Sequence, residues 1–507
     1  MPNIYQTAMF HALRSPQSVA LSDDSGSLGF ADLCARARAL SVHLDELGVR
    51  RGDRVAVFMN NSMDYLALMH ATAYSGFSIV PVNTRYSAHE LAFLVSDCTP
   101  RVLVYDTQFA TIVSEMCDMV SELDRPVCIS DLEPGLHKAA ASDDPVMLQT
   151  GVVDDDDVAI IMYTSGTTSS PKGAMLTHGN LVWNSVNYIL ELGLDAQCRS
   201  LMATPLFHIG GFGVLNGPIL YAGGGLHVVP RFDAQTVIDD LQTVQPTHVF
   251  LLSAMWVSIT DHPGFSSLRM PEVRYVQTAA APLGEWRQEL IRKVFPNAEF
   301  GWGFGMTESC VTTIKNRYSR EILEHPGSVG FFWRHIAHRL VDEEGVTLSN
   351  QNGPGELQVK GPTVFKGYWN QPELTAETIT ADGWLKTGDL FRIDGEGYAY
   401  FVGRSKDMVK TGGENVAALE VENCLAAHED VREAAVFGVP NEKWGEELVA
   451  AVVPIAGRTP DAEALRTHCR QRLSGFKVPK RIVLVDSLPH SSSGKIQKFK
   501  LKQGFTA

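Results

Sequence analysis

A chain of 507 residues is longer than one hydrophobic core usually supports, so two or more domains are expected. Its 45% hydrophobic and 20% charged residues describe a globular chain and exclude a disordered one. With 43 Lys and Arg against 58 Asp and Glu, a formal charge of −15, it also excludes a nucleic-acid surface as the main partner, and a small anion held in a local basic pocket fits better.

In chain order, short apolar runs are followed by helical patterns, the rhythm of α/β layers. Residues 55–59 read as a strand and 63–75 as the amphipathic helix after it. Another strand begins within 76–81, and 102–105, 158–162, 227–229 and 249–252 continue the series. The four aspartates at 154–157 read as a solvated turn rather than a metal site. Residues 383–402 alternate turns and short strands, with a turn at 394–397 and a strand at 398–402. After Gly403 come a helix at 418–426, strands at 434–439 and 448–454, and a helix at 461–473. That is a compact α+β unit of about a hundred residues.

The eight cysteines have neither CxxC nor metal-ligand spacing and read as reduced, mostly buried thiols. Residues 1–20 contain no secretory h-region, no run approaches the ~18 apolar residues of a membrane span, and Gly504-Phe505-Thr506-Ala507 is not a peroxisomal tripeptide. The cytoplasm is the expected compartment. A homodimer is compatible with the sequence, which shows no particular patch for it.

The most informative stretch is Tyr163-Thr164-Ser165-Gly166-Thr167-Thr168-Ser169-Ser170-Pro171-Lys172-Gly173, directly after an apolar strand. Small residues, hydroxyls and one lysine can turn N–H and O–H donors toward phosphate oxygens. It is not a Walker A loop, because its lysine precedes the closing glycine and Ala174 follows. Composition alone leaves a Ser/Thr-rich surface turn as the simpler reading. The ordered string, however, resembles the phosphate loop of the adenylate-forming superfamily, which includes acyl- and aryl-CoA synthetases, peptide-synthetase adenylation domains and firefly-type luciferases. Ser169 departs from it, standing where glycine is usual; if that position needs positive φ, a serine there is strained.

Further motifs of that family follow in order. Pro205-Leu206-Phe207-His208-Ile209-Gly210-Gly211 is similar to its histidine motif, and Ala279-Ala280-Ala281-Pro282-Leu283 to the segment along the adenine. Gly303-Phe304-Gly305-Met306-Thr307-Glu308 resembles the aromatic-Gly-x-Thr-Glu motif, with Phe304 where tyrosine is common, so stacking survives without a hydroxyl. Trp384-Leu385-Lys386-Thr387-Gly388-Asp389 resembles the ribose motif, whose carboxylate can accept from both hydroxyls of a diol. Gly403–Asn415 resembles the hinge and its loop, and Pro489-His490-Ser491-Ser492-Ser493-Gly494-Lys495 the motif that delivers a catalytic lysine, with His490 where arginine is common. The Gly-Gly-Glu-Asn loop with Trp444-Gly445-Glu446 looks most like bacterial fatty-acid and aryl acyl-CoA ligases.

The resemblance implies an α/β fold: a large N-terminal domain, 1–403, of two α/β-layered sheets with a small β-barrel-like part, and a small mobile α+β C-terminal domain, 404–507. It implies ATP, Mg2+ and coenzyme A as cofactor and co-substrates, with a carboxylic acid as the small-molecule substrate. Thr164, Ser165, Gly166, Thr167, Thr168 and Lys172 would hold the phosphates, with Thr164 and Glu308 on Mg2+. Ala279, Ala280, Ala281, Gly303, Phe304, Gly305, Met306 and Thr307 would line the nucleotide, Asp389 would take the ribose, and Arg404 would contact the nucleotide beside the hinge. Lys495, Lys172, His208 and Glu308 are the catalytic candidates, Lys495 bridging the acyl carboxylate and the α-phosphate. Rotation about Ser405, Lys406 and Asp407 would then withdraw Lys495, while Lys410, Gly412, Gly413 and Glu414 line a pantetheine tunnel. The acyl pocket would draw on Phe207, His208, Phe212, Trp256, Ala279, Trp302, Gly303 and Met306, with Trp256 and Trp302 either shortening the tunnel or packing in the core.

Phe207–Phe212 offers no carboxylate for an α-ammonium, which disfavours an amino-acid substrate, and no carrier domain follows Lys495. A fatty acid is slightly favoured over an aromatic acid such as a cinnamate, on family frequency alone. The rival readings are a ligase that hands acyl-AMP to a carrier protein and, for Ser169, a nucleotide-binding protein without turnover.

Overall fold

The computed structural model describes residues 2–121, 123, 126–132, 153–164, 171–279, 283–316, 319–349, 353–455, 457–490 and 496–505. Runs such as Arg54–Phe58, Ser78–Pro81 and Val102–Tyr105 are apolar and buried on both faces, as parallel strands covered by helices must be. They lie in a sheet ordered Gly367–Tyr368, Lys172–Thr177, Val158–Thr164, Ser78–Pro81, Arg54–Phe58, Val102–Tyr105, Pro126–Cys128. The last five are parallel, and the first two add an antiparallel edge.

The second sheet runs Phe331–Phe332, Val311–Lys315, Glu299–Met306, Tyr275–Ala279, His248–Leu252, Arg199–Met202, Gly225–Val228, Val19–Asp23, Gly26–Gly29. The helix Met63–Ser75 touches strands of both sheets. With the helices Ile4–Arg14 and Phe30–Glu46 packed on it as well, it is buried continuously from Tyr65 to Ala73, where the sequence suggests one polar face. Ser62 caps its start and Gly76, at φ +77°, ends it, so the next strand begins at Ser78.

The small third part is an antiparallel sheet of Ala337–Val341, Gly355–Lys360, Leu385–Ile393 and Ala399–Arg404. Its outer strands do not pair with each other among the described residues, so it is an open sheet where the resemblance suggests a barrel. Beyond the turn Ser405–Asp407 the chain enters a different sheet, built on the hairpin Met408–Thr411 and Glu414–Ala417 with Val431–Asn441, Gly445–Pro454 and Arg481–Leu484. The strands expected at 434–439 and 448–454 extend into one long hairpin, and the helix expected at 461–473 runs Ala462–Arg470 from an Asp461 cap. This smaller C-terminal domain has its own core around Val421, Leu425, Val436, Ala450 and Leu465.

The acidic run is a turn tied by ion pairs: Arg51 holds Asp154 at 2.8 Å and Asp157 at 2.7 Å, and Lys366 holds Asp156 at 2.6 Å. All eight cysteines are free thiols, seven of them buried. No described helix is long and apolar enough to cross a membrane.

Candidate active site

The phosphate-loop motif joins two antiparallel strands, with Thr164 opposite Lys172 and Tyr163 opposite Gly173. The Thr164 hydroxyl donates to the Lys172 carbonyl at 3.5 Å, which fixes the mouth of the loop. Gly173 is required by space, since a Cβ there would stand 2.8 Å from Ile161 Cγ2. Ser165–Ser170, and with them Gly166, Thr167, Thr168 and Ser169, lie outside the described residues.

Lys172 and Glu308, distant in sequence, meet through Tyr368. The short strand Gly367–Tyr368 pairs with Lys172–Thr177, setting Tyr368 opposite Ala174. Its ring lies 5.8 Å from Lys172 Nζ and its hydroxyl donates to Glu308 Oε1 at 2.7 Å. Burial, then the Glu308 carboxylate, raises the Tyr368 phenol well above the ordinary tyrosine range, so it stays a donor. Glu308 is 8% exposed on the turn Thr307–Ser309, which lies against the strand of Lys172. With one oxygen taken by Tyr368, Glu308 keeps a second, and this oxygen and the Thr164 hydroxyl are both of the hard kind that Mg2+ takes.

On the nucleoside side, the Phe304 ring meets Phe391 edge-on at 4.8 Å and stacks near Phe401 at 5.9 Å. Phe391 stands two positions after Asp389 and Phe401 three before Arg404, the pair Asp389–Arg404 being separated from Phe391–Phe401 by a bulge. Asp389 is buried, and its Oδ1 meets Arg404 Nε at 3.1 Å. The structure thus pairs the two residues with each other. Thr387 shapes the approach, its hydroxyl donating to the Leu357 carbonyl at 2.7 Å and accepting the Asp389 N–H at 3.1 Å. Ala279 ends its strand opposite Leu252, while Ala280, Ala281 and Pro282 lie outside the described residues.

The acyl-pocket candidates divide. Asn61, in the bend after the strand Arg54–Phe58 of the other sheet, donates to the carbonyls of Thr204 and Val229 at 3.2 Å and accepts the Leu206 N–H at 2.9 Å. It fixes the loop that presents buried Phe207 and half-buried His208, whose rings lie 4.7 Å apart. Phe212 follows on the helix Ile209–Gly213, and a Cβ on Gly211 would stand 2.2 Å from the Pro205 carbonyl oxygen. Gly303 and Met306 lie on the strand Glu299–Met306, where alternation sets Trp302 and Phe304 on the face opposite Gly303. Trp256 is fully buried, its ring 6.2 Å from both Phe265 and Phe295, which is the core-packing alternative of its two readings.

In the C-terminal domain, Gly412 (φ +61°) and Gly413 (φ +85°) form the tight turn between Met408–Thr411 and Glu414–Ala417. The Gly412 N–H donates to the Trp444 carbonyl at 2.8 Å and the Lys410 N–H to Glu446 Oε2 at 2.9 Å. The Lys410 and Glu414 side chains are exposed. Ser405, Lys406 and Asp407 form a single 3-10 turn. Lys406 is exposed at its surface, yet surrounding protein and then the charge of Arg404, with Lys172 adding to it, lower its pKa, which sets the turn within electrostatic reach of Lys172. Lys495 lies outside the described residues; the segment holding it is bracketed by a bridge between His490 and Ile496, and His490 pairs with Glu433 at 3.4 Å. Sequence reasoning missed Tyr368 and Asn61. A Gly-Tyr-Trp string and an Asn just beyond a strand's carboxyl end were the available signals, neither of them a motif of chemistry by itself.

The fold defines a two-domain α/β protein that carries a loop hairpin, the buried carboxylates Glu308 and Asp389, and a short turn at Ser405–Asp407 between its last two sheets. The AMP-binding enzyme model matches residues 10–369, and the AMP-binding enzyme C-terminal domain model matches 420–495. Feruloyl-CoA synthase of an Amycolatopsis species is 37% identical over 97% of both chains. Long-chain-fatty-acid–CoA ligase FadD13 of Mycobacterium tuberculosis is 32% identical over 100% of this chain and 99% of its own. The ATP-bound structure of MatB from Rhodopseudomonas palustris superimposes with a TM-score of 0.88 at 31% identity, over 99% of each chain. The chain belongs to the AMP-binding enzyme family, the adenylate-forming acyl- and aryl-CoA ligases.

Proposed function

We propose that this chain is an AMP-forming acid–thiol ligase that activates a carboxylic acid with ATP and passes the acyl group to coenzyme A. The observation that supports the reading is the convergence of Lys172, Tyr368 and Glu308, with Lys172 and the Asp389–Arg404 pair all within electrostatic reach of Lys406. An acid oxygen attacks the α-phosphorus and pyrophosphate leaves; the coenzyme A thiolate then attacks the acyl carbonyl and AMP leaves. The first step brings anions together, so it needs positioning and charge stabilisation rather than acid–base work. Lys172 and Thr164 with the loop 165–168 hold phosphate oxygens, Thr164 and Glu308 hold Mg2+, Asp389 takes the ribose and Arg404 the nucleotide. Mg2+ supplies neutralisation of phosphate charge. Lys495 bridges acid and α-phosphate, and a rotation at Ser405–Asp407 withdraws it so that the thiol can enter past Gly412 and Gly413.

For the acid, the slight preference for fatty acids rests on family frequency. The relatives divide between aryl and fatty acids, and the larger identity to the feruloyl enzyme, with polar side chains beside Gly303, favours an aryl or oxygen-bearing acid. Pyrophosphate release with a panel of acids, with and without coenzyme A, tests activity, acceptor and acid class together. Release without acceleration by coenzyme A points to a carrier-protein acceptor, and no release with any acid ends the ligase reading.

A further inference from the structure

The strand Glu299–Met306 carries glycine at alternate positions, Gly301, Gly303 and Gly305, so beyond Glu299 one face of it has no side chains. Two of those gaps are filled: a Cβ on Gly301 would lie 1.6 Å from the Tyr275 hydroxyl, and one on Gly305 would lie 1.4 Å from the Val311 carbonyl oxygen. At Gly303 the nearest atom is Gln277 Nε2, 3.4 Å from where a Cβ would be. Gly303 pairs across the sheet with Lys315, and the register of Thr278 with Trp302 sets it level with Ala279, at the carboxyl end of the parallel strands. Ligands of open α/β sheets bind at that edge.

Lys315 is 4% exposed. Its amine donates to Gln277 Oε1 at 2.9 Å and lies 4.2 Å and 4.9 Å from the ring centroids of Tyr275 and Tyr188. The Gln277 amide donates in turn to the Tyr188 hydroxyl at 3.4 Å, and that hydroxyl bonds Thr312 Oγ1 at 2.8 Å. An ammonium has three donors, and buried cations are ordinarily met by a carboxylate. Among the described residues the partners of this amine are the Gln277 oxygen and the two tyrosine rings, with no carboxylate among them. Glu191, the acidic group that influences it, is engaged by Arg334 at 3.3 Å. Burial drives Lys315 well below the ordinary lysine range, and as ammonium or as amine it still presents N–H donors.

We propose that Lys315, with Gln277, is the distal recognition point of the acyl pocket and selects carboxylic acids that carry an oxygen acceptor remote from the reacting carboxyl. The gap at Gly303 gives such an oxygen its approach, and the two tyrosine faces flank the donors. This rests on the ligase reading and on Gly303 lining the acyl site. The shared chemistry is an oxygen acceptor, which a phenol or a second carboxylate can supply.

The test compares matched acids on the full chain: cinnamate with 4-hydroxycinnamate, and decanoate with decanedioate. The wild type is expected to favour the oxygen-bearing member of one pair by about 100-fold in kcat/KM, because a site built to hydrogen-bond a group rejects the analogue lacking it. The pair that shows it identifies phenol or carboxylate as the source. Lys315→Met is expected to bring that ratio near one while turnover of the plain acid stays within about threefold. Gln277→Leu, a second variant should Lys315→Met not fold, is expected to lower the ratio about tenfold. A wild type without preference in either pair overturns the proposal, as does a preference that survives in the folded variants. If no acid gives pyrophosphate, the ligase reading fails separately. Melting shifts with the same acids then decide, a larger shift from the oxygen-bearing member in the wild type alone supporting the role of Lys315, and equal shifts ending it.

Discussion

Glu308 and Lys315 are both buried ionisable groups, set at the two ends of the same turn-and-strand segment, and their surroundings differ in kind. Glu308 receives a tyrosine hydroxyl, with Lys172 on the far side of that ring. Lys315 receives an amide oxygen and two ring faces, with no carboxylate among the described residues. Burying a charge costs several kcal/mol unless it is paired and hydrogen-bonded. The first charge is a component matched to its neighbours before ATP arrives. The second is a donor with spare capacity, which marks the acyl side as the place where specificity is set.

If the nucleotide side is the catalytic half of that contrast, Lys495→Ala has the largest effect. Adenylation is expected to fall at least ~1000-fold, in line with losing a cation from a developing charge, while thioester formation from supplied acyl-AMP is largely spared. Pyrophosphate release and AMP release measured separately decide it, and equal loss in both steps breaks the division of labour. Glu308→Gln comes next. It keeps the shape of the side chain and a partner for Tyr368 but removes the negative charge, so turnover is expected to drop ~100-fold and the Mg2+ concentration for half-maximal rate to rise. Turnover unchanged with Mg2+ requirement intact would place the metal elsewhere.

The contrast also explains what could be read before folding. Thr164, Lys172, Glu308 and Asp389 sit in ordered strings whose chemistry is local, so their residue types announce them. Tyr368 and Asn61 act across the sheets: one joins Lys172 to Glu308 through a two-residue edge strand, the other pins the His208 loop from the bend that follows Arg54–Phe58. Their significance lies in register, which no local pattern encodes. The helix Met63–Ser75 makes the same point for the fold, because its second buried face is covered by the helices Ile4–Arg14 and Phe30–Glu46, a packing its own pattern does not encode. The small sheet expected to be barrel-like is open for a similar reason: closure depends on whether its outer strands meet, and strand pattern alone does not specify that.

Tyr368→Phe has an intermediate effect. It removes one hydroxyl and leaves a buried Glu308 oxygen without its donor, a loss of ~1–3 kcal/mol of stability. The melting temperature is expected to fall, and kcat to fall about tenfold because Glu308 loses its orientation rather than its charge. Excess Mg2+ should recover part of the rate. A melting loss with kcat untouched would make Tyr368 purely structural and shrink the catalytic cluster to Lys172 and Glu308.

The smallest effect reports on the other charge. In the unfolded chain the Lys315 amine titrates near 10.5, and in the folded chain burial lowers that value. Between the two values the unfolded state holds a proton that the folded state has lost, so stability rises with pH across that window, and the full penalty of the buried charge is present below it. Lys315→Met lacks both the proton and the penalty, and replacing an uncompensated buried charge by an apolar side chain of similar length is neutral or stabilising. The melting temperature of the wild type is therefore expected to gain on that of the variant as pH rises toward 10.5 in a series of thermal unfolding curves. A constant difference would mean that Tyr188, Tyr275 and Gln277 hold the ammonium without cost, which would move Lys315 from a donor awaiting an acid to a charge already satisfied, and erase the contrast with Glu308.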